Sequence, residues 1–83
     1  MDLSELIVYH RGTFRPYREA TLGLLTHALQ YGTGCFEGIR AFWNADAEQL
    51  YVFEPAAHYR RLRRSGNVLL MDLPADDEAL TEI

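Results

Sequence analysis

The run THALQYGTGCFEGIRAFW, Thr26–Trp43, decides how the rest of this 83-residue chain is read. Thr26–Tyr31 opens on a hydroxyl residue and is poor in β-branched residues, so it predicts one or two helical turns with Thr26 as N-cap. Gly32-Thr33-Gly34 stops the helix. Cys35 to Trp43 is rich in aromatic and branched residues and predicts a strand. Alternate side chains of a strand share a face. Phe36, Gly38, Arg40 and Phe42 therefore belong to one face, and Cys35, Glu37, Ile39, Ala41 and Trp43 to the other. On the first face Gly38 leaves a gap between an aromatic wall and a guanidinium, a gap that admits a small ligand or another backbone.

Outward from this stretch the chain alternates short strand and helix signals. Leu6–His10 is β-prone, Arg11-Gly12 is its turn, and Thr13–Arg15 is the return strand that Pro16 ends. Tyr17–Gly23 is a connection, with Leu22, Leu24 and Leu25 expected to pack inward. Asn44–Glu48 is a polar, turn-prone loop, and Leu50–Phe53 pairs with the strand before it as an antiparallel hairpin. Pro55 occupies the first position of a helix, where its missing N–H costs nothing. Tyr59, Leu62, Gly66 and Leu69 form that helix's covered stripe, with Arg60 and Arg64 turned to solvent. Asp76 caps a last helix that runs only about two turns to Ile83, a length marginal in isolation, and an end in mid-pattern is the expectation for a truncated chain. The fold class expected is α+β, an antiparallel sheet with helices on one side.

Composition narrows the function. A net charge of −4 argues against nucleic acid as the main partner, because phosphate backbones call for a basic surface. One cysteine forbids an intrachain disulfide and agrees with a reducing, cytoplasmic setting. No apolar run reaches the roughly 20 residues needed to span a bilayer, and the N-terminus has no signal-peptide pattern. His10, His27, His58 and Cys35 show no metal-ligand spacing, so no metal site is expected.

The residues that can carry chemistry each have a plainer reading beside the functional one. Phe36 and Gly38 either wall an apolar slot or are core and packing accommodation. Arg40 either holds a carboxylate at a pocket edge or pairs with an acidic residue. Tyr31 either offers its hydroxyl to a pocket or is an amphipathic residue at a helix end. Glu37, on the opposite face, is expected to bond nearby backbone or an arginine. A guanidinium in RRLRR, Arg60–Arg64, matches phosphate oxygens as a fork of donors, but periodicity does not single out Arg61 from its neighbours.

The run YGTGCFEGIR, Tyr31–Arg40, resembles the signature of branched-chain amino-acid aminotransferases, pyridoxal-phosphate enzymes of fold type IV. The similarity extends from the Leu6–Pro16 hairpin to LLMDLP, Leu69–Pro74. D-amino-acid transaminases and aminodeoxychorismate lyases of the same fold type usually show Gly-Asp-Gly before the strand, where this chain has Thr33 and then FEGIR. The resemblance implies that residues 1–83 are an incomplete N-terminal small domain. It implies an enzyme that moves the amino group of leucine, isoleucine or valine to 2-oxoglutarate, as a homodimer or higher homo-oligomer. By the same resemblance Arg61 binds the phosphate of pyridoxal 5'-phosphate. Phe36, Gly38 and Arg40 shape the substrate side, and Tyr31 reaches the pocket of the neighbouring subunit.

One absence bears on this. All eight basic residues are arginines, so the chain has no lysine. A pyridoxal-phosphate transaminase holds its cofactor covalently through a lysine amine that also moves the proton, and arginine cannot substitute. The resemblance places that lysine in a C-terminal domain well beyond position 83. The chain by itself has no expected catalytic residue and should be inactive. The alternative is a non-catalytic interaction module of the same fold, or a related transaminase with other substrates.

Overall fold

The computed structural model describes residues 2–83, in two compact units, Met1–Gly32 and Thr33–Ile83. In the first unit, a 3₁₀ turn at Leu3–Glu5 is capped by Asp2, whose Oδ1 accepts from the Ser4 amide at 3.0 Å. Strands β1, Ile7–His10, and β2, Thr13–Pro16, pair antiparallel with Ile7 opposite Pro16 and His10 opposite Thr13. The two-residue turn between them puts Arg11 (φ 52°) and Gly12 (φ 82°) in the left-handed region, the geometry whose twist matches a hairpin. Tyr9 and Phe14 meet edge to face across the strands, centroids 5.1 Å apart.

Pro16 was expected to end β2, yet it lies within the strand, and pairing goes one residue further. The Tyr17 amide donates to the Leu6 carbonyl at 2.7 Å. Hydrogen-bonded and non-bonded pairs alternate along an antiparallel ladder. With Leu6–Tyr17 bonded, Ile7–Pro16 is a non-bonded pair, so the missing proline N–H is not needed. A second 3₁₀ turn, Tyr17–Glu19, is tied to the first by the Arg18–Glu5 ion pair at 2.6 Å.

Helix α1, His27–Tyr31, ends on Gly32 in the left-handed conformation (φ 69°), with the Gly32 amide donating to the Ala28 carbonyl. Thr26 holds the N-cap position but does not cap with its side chain. Its Oγ1 donates to the Gly23 carbonyl at 2.7 Å, because the preceding turn leaves that acceptor within closer reach. Gln30 closes the same loop through Nε2 to the Leu24 carbonyl. Leu22, Leu24 and Leu25 are exposed rather than packed inward.

In the second unit, β3, Ala41–Asn44, pairs antiparallel with β4, Gln49–Val52, and the Asn44 side chain organises the loop by accepting from the Ala47 amide. The strand expected from Cys35 begins only at Ala41. The partner strand sets the limit. After the Phe53 amide donates to the Arg40 carbonyl, Glu54 turns left-handed (φ 53°) and Pro55 starts a helix, so nothing in this hairpin lies opposite residues 35–39. The α+β class expected is borne out, its antiparallel pairing divided between two two-stranded sheets.

Helix α2, Pro55–Val68, carries Pro55 at its first turn. Tyr59, Leu62 and Gly66 lie on its covered side and Arg60 and Arg64 on its exposed side, as the stripe predicts, whereas Leu69 is exposed. Its C-terminus closes with two bonds, Met71 amide to Gly66 carbonyl at 2.9 Å and Leu70 amide to Asn67 carbonyl at 3.1 Å. This is the Schellman pattern, with Leu70 (φ 58°) where glycine usually sits. Helix α3, Asp77–Glu82, is capped by Asp76, which accepts from the Ala79 amide. Arg63 joins α2 to α3 by donating to Asp77 Oδ1 at 2.9 Å and to the Ala75 carbonyl at 2.8 Å.

Among the described residues no apolar side chain is fully buried, and Gly66 alone is buried. A folded chain of 9.5 kDa ordinarily exposes about 5,000 Å². This one exposes 7082 Å².

Candidate functional site

Exposure alternates along residues 33–38 although no strand pairs with them: Thr33, Cys35 and Glu37 are half-buried, whereas Gly34, Phe36 and Gly38 are exposed. Period two is the signature of an extended backbone with one face covered. Over Glu37 the covering element is α2. Glu37, whose side chain is only 10 % exposed, bonds to two α2 residues three apart and hence on one helical face, His58 and Arg61. Arg61 Nε donates to Oε1 at 2.6 Å and shares the bond with Oε2 at 3.0 Å, and His58 Nδ1 lies 3.1 Å from Oε2.

These contacts fix the protonation pattern. Arg61, then His58, hydrogen-bond the Glu37 carboxylate and draw its pKa down from 4.5 to about 2, against the opposing effect of burial. Glu37 in turn raises the Arg61 pKa. A carboxylate only accepts, so His58 Nδ1 must carry the proton. The contact of Arg61 Nη2 with that same nitrogen, at 3.5 Å, is then not a hydrogen bond. Arg61 is therefore held through Nε, while its two Nη groups have no carboxylate partner among the described residues.

Arg61 and His58 line an open cleft of about 490 Å³ with Phe53, Glu54, Ala57 and Arg64. The Arg61 side chain is 58 % exposed. A planar guanidinium engaged along one edge keeps parallel N–H donors for two oxygens of a phosphate or carboxylate. Arg63, by contrast, is committed to Asp77 and Ala75. Among the described residues no three of His, Cys, Asp and Glu group so as to hold a metal ion, and no helix is long and apolar enough to cross a membrane.

No family model matches the chain. A probable branched-chain-amino-acid aminotransferase of Aquifex aeolicus is 41% identical over 75 residues, which are 90% of this chain and 24% of that protein. The branched-chain-amino-acid aminotransferase of Pseudomonas aeruginosa is 35% identical over 77 residues, 92% of this chain and 24% of that protein. The crystal structure of a branched-chain aminotransferase from Thermoproteus uzoniensis, holding norvaline, superposes with a TM-score of 0.78 at 42% identity, covering 86% of this chain and 23% of that one. The chain corresponds to an N-terminal region of the branched-chain aminotransferases. It spans about a quarter of the length of the curated relatives it matches.

Within this aminotransferase region the residues singled out by sequence fall in different places. Phe36 is 90 % exposed, and a Cβ built on Gly38 would meet nothing within 4 Å, so the gap beside Phe36 is open to solvent. Arg40 is exposed, its carbonyl taken by Phe53. None of these three lines the cleft of Arg61. Tyr31 ends α1 in the other unit, its ring 4.6 Å from that of His27. Glu37 does bond an arginine, as expected, and that arginine is Arg61. His58 was not anticipated as its companion. The signal was there in the i, i+3 spacing of His58 and Arg61, but nothing local says which acidic residue comes opposite.

Proposed function

We propose that this chain is the N-terminal small-domain part, residues 1–83, of a transaminase that moves the amino group of leucine, isoleucine or valine to 2-oxoglutarate, yielding the branched 2-oxo acid and glutamate. The observation that carries the reading is Arg61, braced by Glu37 with two nitrogens free over a cleft, inside a fold shared with branched-chain aminotransferases.

The residues present fit one end of pyridoxal 5'-phosphate. Arg61 has the donor geometry for its phosphate, while the absence of lysine leaves nothing here to anchor its aldehyde. When bound, that cofactor supplies the electron sink for amino-group transfer. This chain's share is to bind and orient: Arg61 clamps phosphate oxygens, and Phe36 and Gly38 offer an apolar slot for an aliphatic side chain. Arg40 supplies a cation for the substrate carboxylate, and Tyr31 serves the site of a neighbouring subunit in a homodimer or larger homo-oligomer. We place the protein in the cytoplasm. The zero lysine count favours a second reading, a non-catalytic module of this fold.

The test is a transplant of residues 1–83 into the Aquifex aeolicus relative in place of the matched quarter. Transamination of leucine, isoleucine or valine with 2-oxoglutarate is expected. Arg61→Ala should weaken cofactor binding by roughly 10- to 150-fold, the worth of a charged hydrogen-bonded contact. A transplant that binds cofactor yet transaminates none of the three amino acids overturns the reading.

A further inference from the structure

We propose that Glu37 is a positioning residue for Arg61, which with His58 turns the guanidinium so that both Nη groups meet a phosphate monoester in the cleft. The inference rests on the reading of Arg61 as the phosphate ligand and adds to it how that ligand is oriented.

The geometry is specific. Both Glu37 oxygens converge on one nitrogen, Nε, at 2.6 and 3.0 Å, so the carboxylate occupies the Nε edge of the guanidinium and leaves the two Nη groups to other acceptors. His58 takes part of Oε2 at 3.1 Å and stops the carboxylate rotating. Glu37 and His58 are the covered members of the trio, 10 % and 17 % exposed, and Arg61 is the open one. A covered acidic brace that fixes the orientation of an exposed guanidinium is the arrangement that spares a rotamer-rich side chain its ordering cost on binding.

The brace also cancels charge. Glu37 and Arg61 sum to zero, and His58 is held with its proton toward the carboxylate. Whatever affinity the cleft has for an anion comes from the direction of its donors rather than from excess positive charge. Two views of Glu37 therefore predict opposite signs. If it were only a structural ion pair beside an anion site, removing its charge would tighten anion binding, because a carboxylate repels phosphate. If it positions Arg61, removing it must weaken binding, by the roughly 2- to 12-fold that freezing one long side chain is worth.

The experiment is a titration of this 83-residue chain with inorganic phosphate, followed through the arginine Nε–H resonances in ¹⁵N-resolved NMR. Arg61 is assigned by its absence in Arg61→Lys, and Arg63, bonded to Asp77 and Ala75, reports that α2 and α3 remain folded. A distinct Arg61 Nε–H that moves on phosphate binding is expected in the wild type. In Glu37→Gln it should merge with the solvent-exposed arginines and phosphate should bind 2- to 12-fold more weakly, with Arg63 unmoved. Glu37→Asp keeps the charge but shortens the reach. It should weaken binding too, and it decides the matter should Glu37→Gln lose the Arg63 signal. Binding that is unchanged or tighter in either folded variant overturns the positioning role, as does a wild type without a distinct Arg61 Nε–H. Phosphate affinity unchanged in Arg61→Ala refutes Arg61 as phosphate ligand instead, whatever Glu37 does.

Discussion

Replacing Leu70 by glycine should stabilise the chain. Leu70 sits at the residue after the α2 C-cap with φ 58°, where its amide and that of Met71 close the last turn onto Asn67 and Gly66. An L-residue with a γ-branched side chain costs about 1–2 kcal/mol in this conformation, and glycine costs nothing. Against that relief stands the greater backbone freedom of glycine in the unfolded chain, about 0.4–1 kcal/mol. The side chain is 93 % exposed, so almost no packing is lost. The balance is about 0.5–1 kcal/mol in favour of Leu70→Gly, equivalent to a rise of roughly 2–8 °C in melting midpoint for a domain this size. Far-UV circular dichroism melts in dilute solution measure it, with Leu70→Ala as the control that removes the side chain but keeps the strain. A midpoint that falls in Leu70→Gly as far as in Leu70→Ala would show that the side chain, not the backbone, sets the energy there, and would refute the strain argument.

Other consequences follow from the same geometry. The Glu37 carboxyl is depressed from 4.5 to about 2, so its contribution is complete above pH 4.5 and is lost as pH falls from there towards 2. Wild-type melting midpoints should drop across that window by more than those of Glu37→Gln, and parallel profiles would contradict the pairing. Gly32→Ala meets no neighbour within 4 Å but forces φ 69°, so it should cost about 1 kcal/mol, read as lost α1 helicity. The exposed Phe36, Leu25 and Val68 have no cover within these residues, so the chain should self-associate as concentration rises. Static light scattering that reports a monomer at high concentration would count against this.

Local chemistry was legible where one residue type decides the backbone. Arg11-Gly12 had to turn, Pro55 had to start a helix and Asp76 had to cap one, and each does. Reading failed where the outcome depends on a partner. The aromatic and branched residues of 35–43 are β-prone throughout, but ladder length belongs to the shorter strand, and Glu54-Pro55 ends β4 early. Thr26 is a fit capping residue whose hydroxyl was claimed by Gly23. The Schellman turn at Leu70 carries no glycine to announce it.

The misread strand and the recognised motif bear on one another. Of the two faces assigned to 35–43, the alternation survives over Cys35–Gly38 without the ladder expected to create it, because Glu37 is pinned to α2 by two side chains rather than by sheet pairing. That pinning places Phe36 and Gly38, its neighbours in the alternation, on the side away from α2. The arginine proposed for the phosphate and the residues proposed for the substrate side thus share one extended segment as their partition, and a one-residue slip along it would exchange them. Inserting a single residue between Gly38 and Arg40 should accordingly abolish the Arg61 Nε–H signal while leaving the β3–β4 hairpin and the Arg63 clamp in place. If the signal persists, α2 rather than the motif sets the position of Glu37, and the functional meaning of the FEGIR spacing falls with it.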